Sequence, residues 1–308
     1  MPINIPDNLP AFETLKSENI FVMTPNRSIH QDIRPLKIGI LNLMPTKIET
    51  ETQLLRLLSN TSLQVDIDLV QASTHIHKNT SQEHLNAFYK TFDEIKNNFY
   101  DGFIITGAPV ERLLFSEVNY WDELCNILEW TKSHVYSTLH ICWGAQAALY
   151  YHFHIHNMLL NSKVLGIFKT TALVENHPLL NGFDDTFMMP HSRYTDVARQ
   201  EIERIDDLNL LAISEEAGVA VVADKLDRRF FITGHLEYDR DTLKKEYERD
   251  MKKGTYTDIP KNYFPDNDPS KQPIFTWRCT ASLLFSNWLN FCVYQQTPFD
   301  FKDLKPIP

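Results

Sequence analysis

Residues 135–149, Val-Tyr-Ser-Thr-Leu-His-Ile-Cys-Trp-Gly-Ala-Gln-Ala-Ala-Leu, change periodicity in the middle. Up to Ile141 the residues alternate and are rich in β-formers. From Gly144 onward Ala-Gln-Ala-Ala-Leu-Tyr-Tyr reads as helix. A buried strand that turns directly into a helix demands a layered α/β fold. Cys142 stands at the turn, where a nucleophile elbow would place its reactive residue, and Gly144 lets the helix pass close to the strand. A helix N-terminus also favours thiolate over thiol. The same stretch fits a small apolar residue closing a core strand, since free cysteine is often buried.

The pattern recurs. Leu36-Lys-Ile-Gly-Ile-Leu-Asn-Leu reads as a buried strand, and Thr46 with Glu49 has capping-box spacing for a helix through Leu54, Leu55, Leu57 and Leu58. Val65–Val70 is the next strand, then a helix over about 82–98. A strand from Gly102 follows, running into Thr-Gly-Ala-Pro, and then a helix over 121–132. Shorter strands are expected at 163–168, 184–189, 219–224 and 229–234. A helix over 239–252 would carry Leu243, Tyr247 and Met251 on one stripe, and a last helix would span 278–295. This alternation predicts a doubly wound, mostly parallel sheet. The expected organisation is an arm over 1–34, one α/β catalytic domain over 35–300 and a tail over 301–308.

In parallel sheets, ligands bind at the carboxyl ends of the strands. Those ends carry Lys47, Gly107-Ala108-Pro109, Cys142 and His235, so one crevice is expected to gather them. His235 and Glu237, two apart after the apolar run Arg229–Thr233, point the same way. A carboxylate beside an imidazole orients it and stabilises its charged form, which with Cys142 supplies the parts of a triad. Taken alone, a His-x-Glu is more often a satisfied histidine beside a helix-capping acid.

Net charge is −10 without a basic run, which argues against a nucleic-acid partner. No apolar stretch approaches the ~20 residues of a membrane span, and the proline-bearing start lacks a signal-peptide pattern. The four cysteines form no C-x-x-C pair, so neither a metal site nor a disulfide framework is expected, and a reducing cytoplasm fits. No phosphate-binding glycine motif is present.

Cys142-Trp-Gly-Ala-Gln with His235-Leu-Glu237 resembles the class I glutamine amidotransferase fold, a flavodoxin-like arrangement. Longer stretches are more specific: Leu41-Asn-Leu-Met-Pro-Thr-Lys-Ile-Glu, Thr106-Gly-Ala-Pro, His140–Leu149, Met189-Pro-His-Ser-Arg-Tyr and Gly234-His-Leu-Glu-Tyr-Asp. In this order, over nearly the whole chain, they resemble the cysteine-dependent homoserine O-acyltransferases of methionine biosynthesis. The resemblance implies ping-pong transfer from an acyl-CoA to the γ-hydroxyl of L-homoserine, with the acyl-CoA as substrate and no resident cofactor. Cys142 would be the nucleophile, His235 the base and Glu237 its orienter. The backbone N–H groups of Trp143 and Ala108 would receive the oxyanion. It further implies that Arg249, Lys163 and Ser192 bind homoserine, although by sequence alone Arg249 and Lys163 look like surface cations. A homodimer is also implied. Lys47 is expected to face the crevice and polarise the acyl carbonyl, or else to be an ordinary helix-surface lysine.

The donor turns on the residue after Gly-Ala-Pro-Val. Glycine there goes with succinyl transfer in the family; here it is Glu111, whose volume and charge would oppose a succinyl carboxylate. Acetyl-CoA is therefore expected, with succinyl-CoA as the alternative and a glutaminase subunit as a more distant one. Glutaminases of this fold usually have glycine two residues before the cysteine, where this chain has His140.

Overall fold

The computed structural model describes all residues except 1–2, 7, 18–21, 24–33, 75–79 and 255–257. The described strands join in one twelve-stranded sheet. Its centre is five parallel strands: β3 (Leu36–Leu41), β4 (Val65–Val70), β6 (Tyr100–Ile105), β7 (Val135–Ile141) and β12 (Arg229–Ile232), side by side in the order β4-β3-β6-β7-β12. Four of these strands, β3, β6, β7 and β12, are buried almost end to end because helices cover both of their faces.

On one face lie α2 (Lys47–Leu58) and α9 (Arg278–Asn287), whose Leu54, Leu55, Leu284 and Phe285 join a single buried cluster. On the other lie α5 (Trp121–His134) and α6 (Trp143–Phe153), with Leu124, Ile127, Leu128 and Leu149 in a second cluster. Doubly wound α/β architecture follows from this two-sided burial.

Beyond β12 the sheet turns antiparallel through β11 (Gly218–Asp224), β10 (Leu208–Ser214), β8 (Asn157–Ala172) and β9 (Thr186–Val197). Among the described residues seven strand pairings are parallel and four antiparallel. The expected strands at 163–168 and 184–189 are parts of β8 and β9, a long hairpin whose polar, half-exposed ends conceal their length from pattern reading. β10 was not foreseen.

The helix expected over 82–98 is broken. α3 (Gln82–Phe88) ends where Tyr89 turns inward to bond Glu51 and Asn42, Tyr89–Lys90 pair with β4 as β5, and α4 (Phe92–Ile95) follows. The capping box at Thr46 does not form: Thr46 makes no side-chain cap bond, and Glu49 instead accepts from Lys245 at 2.6 Å. The last helix is α-helical only to Asn287 and continues in π form over Trp288–Tyr294. α8 (Thr242–Lys252) buries Leu243 but leaves Met251 half exposed, so the expected stripe ends early.

At the amino-terminal side, β1 (Ile3–Asn4) pairs with β4, and α1 (Pro10–Ser17) buries Ala11 and Leu15. At the other end Ile307 donates its N–H to Lys132 O at 2.7 Å. No helix of the described residues is long and apolar enough to cross a membrane.

Candidate active site

Because β3, β6, β7 and β12 are parallel, their carboxyl ends emerge at one edge, over a cavity of about 690 Å³. β7 delivers Cys142. Its N–H still pairs with Ile232 O at 2.7 Å, while its C=O already accepts from Ala145 and Gln146, the first bonds of α6. One residue serves both strand and helix, which forces it to φ 50°, ψ −117°. A side chain at positive φ is strained, on the order of 1–3 kcal/mol, and the surrounding bonds must hold it there. Gly144 makes the turn possible: a Cβ there would lie 2.5 Å from Thr106 O and 2.9 Å from Ile105 O.

β12 delivers His235, whose N–H is anchored on Pro190 O of β9 at 2.8 Å. Its Nδ1 lies 2.6 Å from Glu237 Oε1, and it is also hydrogen-bonded to Cys142. All three residues are buried. Burial works against charge on His235, but the negative charges and hydrogen bonds of Cys142 and Glu237 outweigh it and hold the imidazole pKa well above its usual value. The ring of Tyr238 stacks on His235 with centroids 4.1 Å apart. Gly107, after β6, closes the third side: a Cβ there would stand 3.2 Å from the Cβ of Cys142 and 3.3 Å from Cε1 of His235.

Cys142, His235, Ala108, Glu111, Lys163, Ser192 and Arg249 all line the cavity. Glu237 lies behind His235. Trp143 sends its side chain into the core against Phe115 and Tyr120, so only its main chain faces the turn. As a first-turn residue of α6 its N–H has no partner within the helix.

The hairpin of β8 and β9 brings Lys163 and Ser192 over the strand ends, and Gln146 ties α6 to it through Thr195. Lys163 Nζ lies 3.3 Å from Asp250 and 3.7 Å from Glu246 of α8, and Arg249 lies 2.8 Å from the same Asp250. Ser192 donates to Glu246 Oε2, and Tyr238 donates to its Oε1 at 2.9 Å. Pattern reading missed Glu246, Asp250, Tyr194 and Tyr238 as cavity residues. The i, i+4 spacing of Glu246 and Asp250 was the available signal, masked by the alternating charges of the helix.

Glu111 accepts from the Tyr194 N–H at 3.1 Å. Burial raises its carboxyl pKa, partly offset by that bond and by Lys163 and His235, while Glu246 adds to the rise.

One expectation needs correction. Lys47 is not on the cavity wall: its amine is buried, donates to Asn42 O and lies 5.2 Å from the Tyr89 ring centroid. Burial pushes its pKa down to about 8 against the opposing pull of Glu51. The loop 42–46 curls over the amine, which a strand-end position does not reveal. His140, two residues before the cysteine, is buried and stacked on Phe231 at 4.9 Å, with its pKa pushed down to about 3 by burial. Among the described residues no group of three or more His, Cys, Asp or Glu is placed to hold a metal.

Solved structures of the same shape include a glutamine amidotransferase from Thermotoga maritima, with TM-score 0.55 and 11% identity, covering 85% of this chain and 100% of that one. Another, from Methylobacillus flagellatus, has TM-score 0.53 and 9% identity, covering 87% of this chain and 99% of that one. At such identities the likeness defines the fold alone, a class I glutamine amidotransferase-like one. Residues 2–299 match the family described as homoserine O-succinyltransferase, and the chain belongs to that family of acyltransferases.

Curated relatives named homoserine O-acetyltransferase include one from Acetivibrio thermocellus, 59% identical over 305 residues, 99% of this chain and 100% of the relative. A second, from Methanomassiliicoccus intestinalis, is 60% identical over 301 residues, 97% of this chain and 98% of the relative.

Proposed function

We propose that this enzyme transfers an acetyl group from acetyl-CoA to the γ-hydroxyl of L-homoserine, giving O-acetyl-L-homoserine, a step of methionine biosynthesis. The observation that carries the choice of donor is the Glu111 carboxylate, which stands in the same cavity as Cys142 and His235. A succinyl group on Cys142 would bring a second carboxylate into that partly desolvated space. Like charges are costly there. The names of the relatives support the same donor, although the family carries the succinyl name.

In this reading the Cys142 thiolate attacks the thioester carbonyl. The oxyanion is received by the Trp143 and Ala108 N–H groups. The C–S bond to CoA then breaks, and the His235 imidazolium gives its proton to the leaving thiolate. The neutral imidazole next takes the proton of the homoserine hydroxyl as that oxygen attacks the acetyl-cysteine. The C–S bond to Cys142 breaks and thiolate returns. Glu237 keeps Nδ1 engaged, so Nε2 is the atom that exchanges protons. Homoserine is a zwitterion, and the cavity offers cations, Arg249 and Lys163, beside anions, Glu246 and Asp250, for its two ends. A cytoplasmic setting accords with four cysteines that are all unpaired.

The deciding experiment supplies homoserine with acetyl-CoA or succinyl-CoA and identifies the ester by mass. O-succinylhomoserine as the preferred product would reverse the donor. Glutamine hydrolysis without CoA-dependent transfer would overturn the acyltransferase chemistry.

A further inference from the structure

Helix α8 carries two adjacent charge stripes. Glu246 and Asp250, four residues apart, approach Lys163 in the cavity. Lys245, Arg249 and Lys252, spaced by four and three, share the next face, and Lys253 follows at the helix end. Lys245 and Arg249 line the active-site cavity and also an outer groove, whose other walls are Glu248, Lys252 and Lys253. The groove therefore adjoins the cavity of Cys142 along Lys245 and Arg249.

The groove sets four cations against one acid in a chain of net charge −10. Cations in a last helical turn complement its free carbonyls, but Lys245 lies in the first half of α8. Lys245 is held by Glu49 and Arg249 by Asp250, while Lys252 and Lys253 have no ion pair among the described residues. A second groove, past Lys163, is lined by Lys163 and Lys261 against Glu216 and Asp258, with Lys261 already paired to Glu216, so it has no surplus charge.

The donor must put its thioester at Cys142. The interior offers its phosphates no surplus of free cations, because Lys163 and Arg249 there are engaged by Glu246 and Asp250, and Glu111 lines the same wall. We propose that the groove of Lys245, Lys252 and Lys253 binds the phosphates of the nucleotide end of the acyl-CoA donor. The proposal rests on the acyl-CoA reading above and adds the site that reading lacks.

The test uses the full chain and the double variant Lys252→Gln/Lys253→Gln. CoA binding is measured by calorimetry, and steady-state transfer is measured with acetyl-CoA and with acetyl-pantetheine, which lacks the nucleotide. Two exposed cation–phosphate contacts should weaken CoA binding, and raise KM for acetyl-CoA, by about 5- to 10-fold. kcat, KM for homoserine and kcat/KM for acetyl-pantetheine should stay unchanged. Added salt should raise KM for acetyl-CoA in the parent and much less in the variant. Equal CoA affinity in the two proteins, or an equal loss with both donors, would overturn the assignment. A parent that binds CoA through these lysines yet forms no acetyl ester would overturn only the donor reading, and a parent that does not bind CoA would overturn both.

Discussion

The Glu111 carboxylate is held by the main-chain N–H of Tyr194, 3.1 Å away on the strand that also carries Ser192. The side chain that opposes a longer acyl group is thus fixed by backbone, at the junction of the β6 loop and the β8–β9 hairpin. Glu111→Gly should therefore admit succinyl-CoA and lose part of its acetyl-CoA efficiency, because the acetyl group is no longer confined. Glu111→Gln keeps the volume and removes the charge, and should recover part of the succinyl activity. A desolvated like-charge contact costs several kcal/mol, against roughly 1–3 for a poorly filled pocket. The check is kcat/KM for both donors with all three proteins. A Gln variant as closed to succinyl-CoA as the parent would assign the exclusion to volume alone.

Cys142 should carry the acyl group. Acetyl-CoA without homoserine should add a single acetyl group, placed on Cys142 by peptide mass mapping, and Cys142→Ala should neither acetylate nor turn over. An acetylated peptide elsewhere, or an active Cys142→Ala protein, would contradict the mechanism. Cys125 and Cys292 are internal controls, since burial pushes their thiol pKa values up to about 11 and about 12.

Glu237 helps to hold the His235 pKa up, against a burial effect of opposite sign. Glu237→Gln removes that charge and keeps a hydrogen-bonding group, so the His235 pKa should fall. The neutral imidazole needed to accept the homoserine proton then persists to lower pH, and the acid limb of the kcat/KM profile for homoserine should move to lower pH. The release of CoA needs imidazolium, so the alkaline limb for the donor should move the same way. His235→Asn should lose nearly all activity, because general-base steps are worth about 10²–10⁴-fold. His140 offers no rescue, being stacked in the core.

Lys47 should be visible in the pH dependence of stability. Its folded pKa, about 8, lies below the unfolded value of 10.5. Below pH 8 both states are protonated and the cost of the buried charge is fully present. Between about 8 and 10.5 the unfolded chain binds more protons, so this residue makes stability rise with pH, by on the order of 3 kcal/mol at most. Urea unfolding from pH 7.5 to about 10 should show that rise in the parent and not in Lys47→Met. Parallel curves for the two proteins would mean that the amine titrates normally.

Much of the site was legible because its chemistry is local. Cys142 follows its strand by one residue, and His235 and Glu237 alternate on one extended segment, so strand order alone brings them together. The capping signal at Thr46 located the start of α2 correctly and misassigned its bonds, because Glu49 found Lys245, 196 residues away, instead of its own helix start. Lys47 shows the same limit: its position at a strand end was readable, but the loop that folds over its amine was not.

By itself the sequence determined the parallel α/β core and the Cys142, His235 and Glu237 constellation, since both follow from periodicities of two and 3.6 and from which residues end the strands. Only the tertiary structure decided what surrounds them. The β8–β9 hairpin carries Lys163 and Ser192 across the strand ends, Tyr194 fixes Glu111, and α8 turns Glu246 and Asp250 toward Lys163. These are contacts between segments far apart in the chain, and a half-exposed polar residue leaves no periodic trace of which partner it will meet.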